Sequence, residues 1–154
     1  MIRAFIASLA LSTLCIPEVQ ATTTTFTEND LLAYFEQHGG RVYVDSDLCY
    51  ETFAMGLMVG GNTIHLCTSA HQGDTEEYKD TIRHEVWHVV QACNNGTLSD
   101  DPIYAIVQAH EHGWTGEGYS KPEHWHFEAE AHLAAALLTP EQIKDELNNY
   151  CLSE

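Results

Sequence analysis

Leu31, Leu32 and Phe35 are spaced as on one face of a helix, behind a Thr27-Glu-Asn-Asp30 segment with the form of a capping box and ahead of a Gly39-Gly40 stop. The period then changes. Arg41 to Val44 alternates as a strand does, a polar loop carries Cys49, and Phe53 to Val59 and Thr63 to Leu66 flank Gly60-Gly61-Asn62, a strong hairpin signal. Further on, the helical period returns. Asp74 or Thr75 can cap a helix from Glu76 to about Cys93 in which Tyr78, Ile82, Val86, Val89 and Val90 share a face, and Asn94-Asn95-Gly96 ends it. A second helix starts at Asp101-Pro102, carries Ile103, Ile106 and Val107, and stops at Gly113, where a glycine-rich loop runs on to Lys121. A third is expected from Pro122 to Leu138, and Thr139-Pro140-Glu-Gln142 caps a fourth that reaches Tyr150. A helix, a small antiparallel sheet and then a run of helices make an α+β domain.

The chain has 154 residues, 44% of them apolar, which suffices for one core but not for two ordinary domains. It carries 23 acidic residues against 6 Lys and Arg, a net charge of −17 with His neutral. Such a surface repels polyanions at long range, so nucleic-acid binding is not expected. Arg3, the apolar run from Ala4 to Leu14 and the Val19-Gln20-Ala21 exit have the form of a secretory signal peptide. Residues 1–21 are therefore expected to be removed, leaving 22–154 as the domain in a secreted or periplasmic setting. The run is too short for a membrane anchor, which needs about 20 apolar residues, so no membrane association is expected after cleavage. Export removes one base, Arg3, and one acid, Glu18, and the charge stays at −17.

Cleavage also removes Cys15 and leaves Cys49, Cys67, Cys93 and Cys151. An even set in a small exported domain reads as two disulfides. Of the three connectivities, Cys49 with Cys67 and Cys93 with Cys151 is favoured, the first tying a loop to a nearby strand and the second tying the C-terminal tail to the end of the central helix. No C-x-x-C spacing occurs, so neither a cysteine zinc site nor a thiol oxidoreductase is expected.

The ten His residues point towards metal. His84-Glu85-Val86-Trp87-His88 is an H-E-x-x-H motif, and residues four apart share a helical face within reach of one ion. Two imidazoles can hold one zinc while Glu85 is placed to take a proton from the water that zinc acidifies and to return it to a leaving amine. Such a motif arises by chance in roughly one chain in ten of this composition, so its context matters. Here it lies in a strongly periodic helix, off the Val86, Val89 and Val90 stripe.

A catalytic zinc usually takes three protein ligands and keeps a fourth position open. Downstream candidates are His110, His112, His124, His126, His132, Glu128 and Glu130. The metzincin pattern requires His six residues after the second motif His, where this chain has Asn94. The segment Trp125-His-Phe-Glu128-Ala-Glu130-Ala131-His132 instead resembles the gluzincin arrangement, in which the ligand Glu is followed three residues on by a small residue and four on by a polar supporting residue. The stretch from Glu128 to Pro140 also looks like the corresponding helix of zinc peptidases that cleave phage repressors, and like the E-x-x-A-D segment of membrane-linked gluzincins. The resemblance implies a minimal zincin-like domain with Glu128 as third ligand, Ala131 as the small residue and His132 as the supporting group. Asp or Asn normally stands at that last position, so Glu130 and His132 stay open as alternative ligands.

A group that donates to a developing oxyanion is expected near the zinc, and Tyr119, His124 and His126 follow the glycine-rich loop. His110 and His112 end a helix, where a positive charge suits the dipole without any metal. His65 is expected to face outward, and Trp87 and Trp125 to serve the core or a pocket wall. The strand Thr63 to Leu66 is expected to be the edge on which an extended peptide substrate adds. The pattern thus favours an exported zinc-dependent peptidase. The alternatives are a non-catalytic exported protein whose His-rich stretch from 110 to 132 binds zinc or copper, and a binding module on a degenerate zincin fold.

Overall fold

A computed structural model describes residues 25–52, 54–116 and 121–152, so the expected signal peptide and Tyr119 lie outside the described residues. Thr27 caps α1 (Glu28–Gln37): its hydroxyl accepts the Asp30 N–H while the Asp30 carboxylate accepts the Thr27 N–H, the reciprocal pair its sequence predicts. α1 buries Leu31 and Phe35, and packing requires glycine just beyond it, because a Cβ at Gly40 would lie 2.4 Å from the Phe35 ring.

Then come β1 (Arg41–Val44), α2 (Asp47–Thr52), β2 (Gly56–Val59) and β3 (Thr63–Leu66). β2 and β3 form the expected hairpin, with Gly60 and Gly61 both at positive φ and Met58 opposite Ile64. β1 pairs parallel to the other side of β3, placing Val42 beside Ile64. The sheet order is β1-β3-β2, which corrects two expectations. The sheet is mixed rather than antiparallel, and Thr63 to Leu66 is its central strand rather than an edge. α2 turns the chain after β1 and buries Cys49, and the hairpin that follows lies with β3 rather than β2 against β1. The strand expected from Phe53 accordingly starts at Gly56.

A 3-10 turn (Thr68–His71) leads to α3 (Thr75–Cys93), where the Asp74 carboxylate accepts the Glu76 and Glu77 N–H groups at 3.0 and 3.1 Å. α4 (Pro102–Glu111) starts at an Asp101 cap with proline in its first turn. A 3-10 turn (Pro122–His124) opens α5 (Trp125–Leu137), and a Thr139/Gln142 capping box starts α6 (Pro140–Leu147). The last stretch, expected to be α-helical to Tyr150, widens to a π-helical turn (Asn148–Leu152).

α3 is the central pillar. Its Ile82, Val86, Val89 and Val90 are buried as their spacing predicts, together with Trp87, against Leu31, Phe35, Ile64, Leu66, Ile143 and Leu147. Burying each large aliphatic side chain contributes about 1.5–3 kcal/mol, so this stripe fixes the rotation of α3 and with it the direction of the opposite face. α5 packs against α3 through small residues, the buried Ala131 and Ala134. A smaller cluster of Ala109, Trp114 and Ala129 joins α4 to α5.

Both favoured disulfides form, Cys49 with Cys67 and Cys93 with Cys151. Such bonds persist in oxidising compartments. Among the described residues, no helix is long and apolar enough to cross a membrane. The two links close loops of different length, 18 and 58 residues apart in sequence. On the chain-entropy model, removing the pair Cys93/Cys151 by double alanine substitution should cost about 4 kcal/mol and removing Cys49/Cys67 about 3. Urea unfolding of the two variants under oxidising conditions checks both the magnitudes and their order.

Candidate metal centre

The apolar stripe of α3 faces the sheet and α6, which turns His84 and His88 towards α5. The alanines of α5 let that helix lie close, and Glu128 in its first turn reaches across. His84 Nε2 and Glu128 Oε2 are 3.2 Å apart, His88 Nε2 and Glu128 Oε2 3.4 Å, and the two imidazole Nε2 atoms 3.0 Å. Two ligands on a tetrahedral zinc with bonds of 2.0–2.2 Å lie about 3.3–3.5 Å apart. The three atoms therefore already have nearly the separation that one ion would impose. Among the described residues, this is the one group of His, Cys, Asp or Glu side chains close enough together to hold a metal.

The electrostatics are those of mutually dependent groups. Burial opposes ionisation of Glu128, but hydrogen bonds and charge from His84 and His88 outweigh it and hold the carboxyl far below the usual range. Burial lowers the His84 pKa against the pull of Glu128. Burial also works against a charged His88, yet the hydrogen bond to Glu128 and the charge of Glu85 prevail, and its pKa rises.

Glu85 has a different environment. It is 5% exposed, and its Oε2 has no hydrogen-bond partner. Burial pushes its carboxyl up to about 7, against the nearby His88 charge and the Met58 N–H, both of which favour the ionised form. An unsatisfied buried carboxyl oxygen destabilises a fold, by about 1–3 kcal/mol or more for a charged group, and such strain concentrates at functional sites.

These residues line a cavity of about 1040 Å³. Met55 and the β2 residues Gly56, Leu57 and Met58 form one side, while Trp114, His124, Phe127 and His132 contribute elsewhere. The other candidates now separate. Glu130 lies outside the trio: it is buried, with Oε2 accepting from Trp87 Nε1 at 3.2 Å and Gln91 Nε2 at 2.7 Å, and Oε1 from the Ser99 N–H at 2.6 Å. His132 lies on the cavity wall, outside the ligand trio, and its Nε2 bonds the His112 carbonyl at 3.0 Å. His124 and His112 line the cavity too, whereas His126 packs beside the Phe127 ring and His110 beside Trp114. His65 stacks on Tyr43 and bonds Ser46 Oγ at 2.7 Å, away from the trio. Trp87 is in the core and Trp125 packs with the smaller cluster, as expected.

Three residues of the site escaped the sequence reading. Gln91 bonds His88 Nδ1 at 2.7 Å, and its spacing three residues after His88 was the available signal. Trp114, set in a stretch read as a glycine-rich loop, is 6% exposed and lines the cavity. Gly56 leaves the space that Glu85 occupies: a Cβ there would lie 2.8 Å from Glu85 Oε1 and 2.6 Å from Thr81 Cγ2. Nothing local in the sequence marks that contact.

The chain belongs to the family described as Domain of unknown function (DUF8637), whose model matches residues 19–152. No match was found among curated proteins or among solved structures.

Gly56→Ala should press on both α3 side chains and destabilise the fold by about 1–3 kcal/mol, as overpacking does. Thr81→Ser in the same chain removes one of the clashing atoms and should recover part of that loss. Chemical denaturation of the two single variants and the double variant measures this coupling, and additive losses would show that the methyl does not meet Thr81.

Proposed function

We propose that this chain is an exported zinc-dependent peptidase of gluzincin type. The observation that carries the reading is the convergence of His84 Nε2, His88 Nε2 and Glu128 Oε2 in one cavity with a buried Glu85 whose Oε2 has no hydrogen-bond partner. The two imidazoles and the Glu128 carboxylate would hold the ion, a donor set of the kind that catalytic zinc uses. Zinc in such a site supplies a Lewis acid for a peptide carbonyl and lowers the pKa of a water to roughly 7.

The rest of the chemistry falls to the protein. Glu85 takes the proton of the attacking water and returns it to the leaving amine, and a carboxyl poised near neutrality suits both transfers. Oε2 is the natural atom for this because no protein donor occupies it. β2 is a sheet edge with Met55 to Met58 along the cavity, so an extended peptide can add to it through main-chain hydrogen bonds. Leu57, Met58, Trp114 and Phe127 offer apolar wall for its side chains. His124, on the cavity wall, is an imidazole available to donate to charge developing on the carbonyl oxygen, whereas the N–H of His132 is already directed at the His112 carbonyl. The two disulfides accord with a secreted or periplasmic site of action.

A passive zinc or copper carrier would need only the ligand trio. It gives no reason for a carboxyl to be buried beside the ligands with one oxygen unsatisfied, or for β2 to leave room for it, so the peptidase is preferred. The test is cleavage of an unstructured protein substrate by the oxidised domain. Glu85→Gln should keep zinc and lose at least about 10²–10⁴-fold in rate, the scale of general acid–base catalysis, whereas Glu128→Ala should lose zinc as well. If the wild-type domain bound zinc yet cut nothing across a broad peptide library, the carrier would replace the peptidase.

A further inference from the structure

We propose that Gln91, backed by the buried carboxylate of Glu130, is a positioning residue that dictates which nitrogen of His88 faces the metal. The inference rests on the metal reading above and is independent of whether peptides are cleaved.

The two ends of a glutamine amide have the same shape, so its neighbours must decide which end is oxygen. Gln91 is 3% exposed. One end lies 3.0 Å from the Phe127 carbonyl oxygen and 2.7 Å from Glu130 Oε2. Phe127 O can only accept. Glu130 Oε2 already takes the Trp87 indole N–H, and Oε1 takes the Ser99 N–H, so both carboxylate oxygens face donors. The Gln91 end between these two acceptors must be the NH2 group, and the other end must be oxygen. That oxygen lies 2.7 Å from His88 Nδ1, and it can bond only a nitrogen that carries hydrogen. Nδ1 of His88 therefore always carries hydrogen, so when the ring gives up its other proton to bind a metal, the lone pair falls on Nε2, the atom facing His84 and Glu128.

The network reaches well beyond the metal helix. Ser99 lies in the connection between α3 and α4, Phe127 and Glu130 lie on α5, and Trp87, His88 and Gln91 lie on α3. A carboxylate that polarises an amide, which in turn accepts from the imidazole, raises the basicity of Nε2 as well as orienting the ring. A glutamine thus stands between the imidazole and the carboxylate, bonded to both. It also explains why a buried acid sits two residues from Glu128 without joining the ligand trio.

The test uses the oxidised domain, with zinc affinity read by competition with a chromophoric chelator and the His88 ring read by nitrogen-15 NMR. In the wild type, Nδ1 of His88 should carry a proton shielded from exchange. Gln91→Leu should lose that fixed Nδ1–H and bind zinc about 10–100-fold more weakly, the usual consequence of removing such a partner. Glu130→Gln, which can keep an acceptor for Gln91 but cannot serve Trp87 and Ser99 on both atoms, should weaken zinc in the same direction. Gln91→Met provides a second variant should the leucine substitution prevent folding, and near-ultraviolet circular dichroism reports packing in each. The inference is overturned by a wild-type His88 that carries its proton on Nε2 alone. It is equally overturned by a folded Gln91→Leu or Gln91→Met domain whose zinc affinity stays within about twofold of the wild type, against the loss expected. A domain that shows the expected tautomer and affinity losses but cleaves no peptide refutes the peptidase and supports this assignment.

Discussion

The approach of α5 to α3 is the constraint on which the rest depends. A carboxylate and two imidazoles can share a point only if two helices lie at the close end of the packing range, and bulky side chains between them would prevent it. Ala131 and Ala134 sit in that contact with almost no exposure. They contribute little hydrophobic stabilisation of their own, and their value is the space they leave. The larger apolar groups are on the other flank of α3, where Ile82, Val86 and Val90 meet the sheet and α1. One helix therefore divides its surface between a face packed with large apolar groups and a face on which the His/Glu cluster forms.

Beside the His/Glu trio lies a group that weakens the fold. Glu85 is buried against β2 with one carboxyl oxygen left without a hydrogen-bond partner. The links around α3 offset this. Cys93 at its C-terminal end is bonded to Cys151, Cys67 at the end of β3 is bonded to Cys49, and the Asp74 carboxylate caps its first turn. A domain with a modest core can tolerate a destabilised site when cross-links limit the freedom of the unfolded chain.

What could be read in the sequence divides along the same line. Elements whose signal is local were legible: the Thr27 and Thr139 capping boxes, the Gly60-Gly61 hairpin, the Asp74 cap and the periodic stripe of α3 all stand where their residues place them. His84, Glu85 and His88 were legible for the same reason, since a four-residue spacing is a local property of a helix. Glu128 required a second helix and came only through resemblance. Strand order was misread because β1 pairs across α2 and the hairpin, and no local pattern specifies which strand lies in the middle. Glu130 and His132 could not be separated from Glu128 by sequence, because the helical face each occupies depends on how α5 is rotated against α3. Gly56 is the extreme case: its role exists only when β2 crosses α3 at Glu85.

With 23 acids and only 6 Lys and Arg, the location of each cation carries information. Arg83, the residue before the metal motif, donates through Nε to the Ala135 carbonyl at 2.8 Å and pairs through its two terminal nitrogens with Glu28 and Asp80. It therefore joins the first turn of α1, its own helix and the C-terminal end of α5 at the level of His84. A lysine would gather its three donors on one nitrogen, whereas the planar guanidinium spreads its donors over three nitrogens, each of which here meets a different acceptor. Ala135 and Glu128 lie on the same helix, so Arg83 holds the far end of α5 while the imidazoles face its beginning. The charge imbalance and the metal cluster are thus linked through one side chain: a scarce cation is placed where it fixes the helix that brings the carboxylate to the histidines.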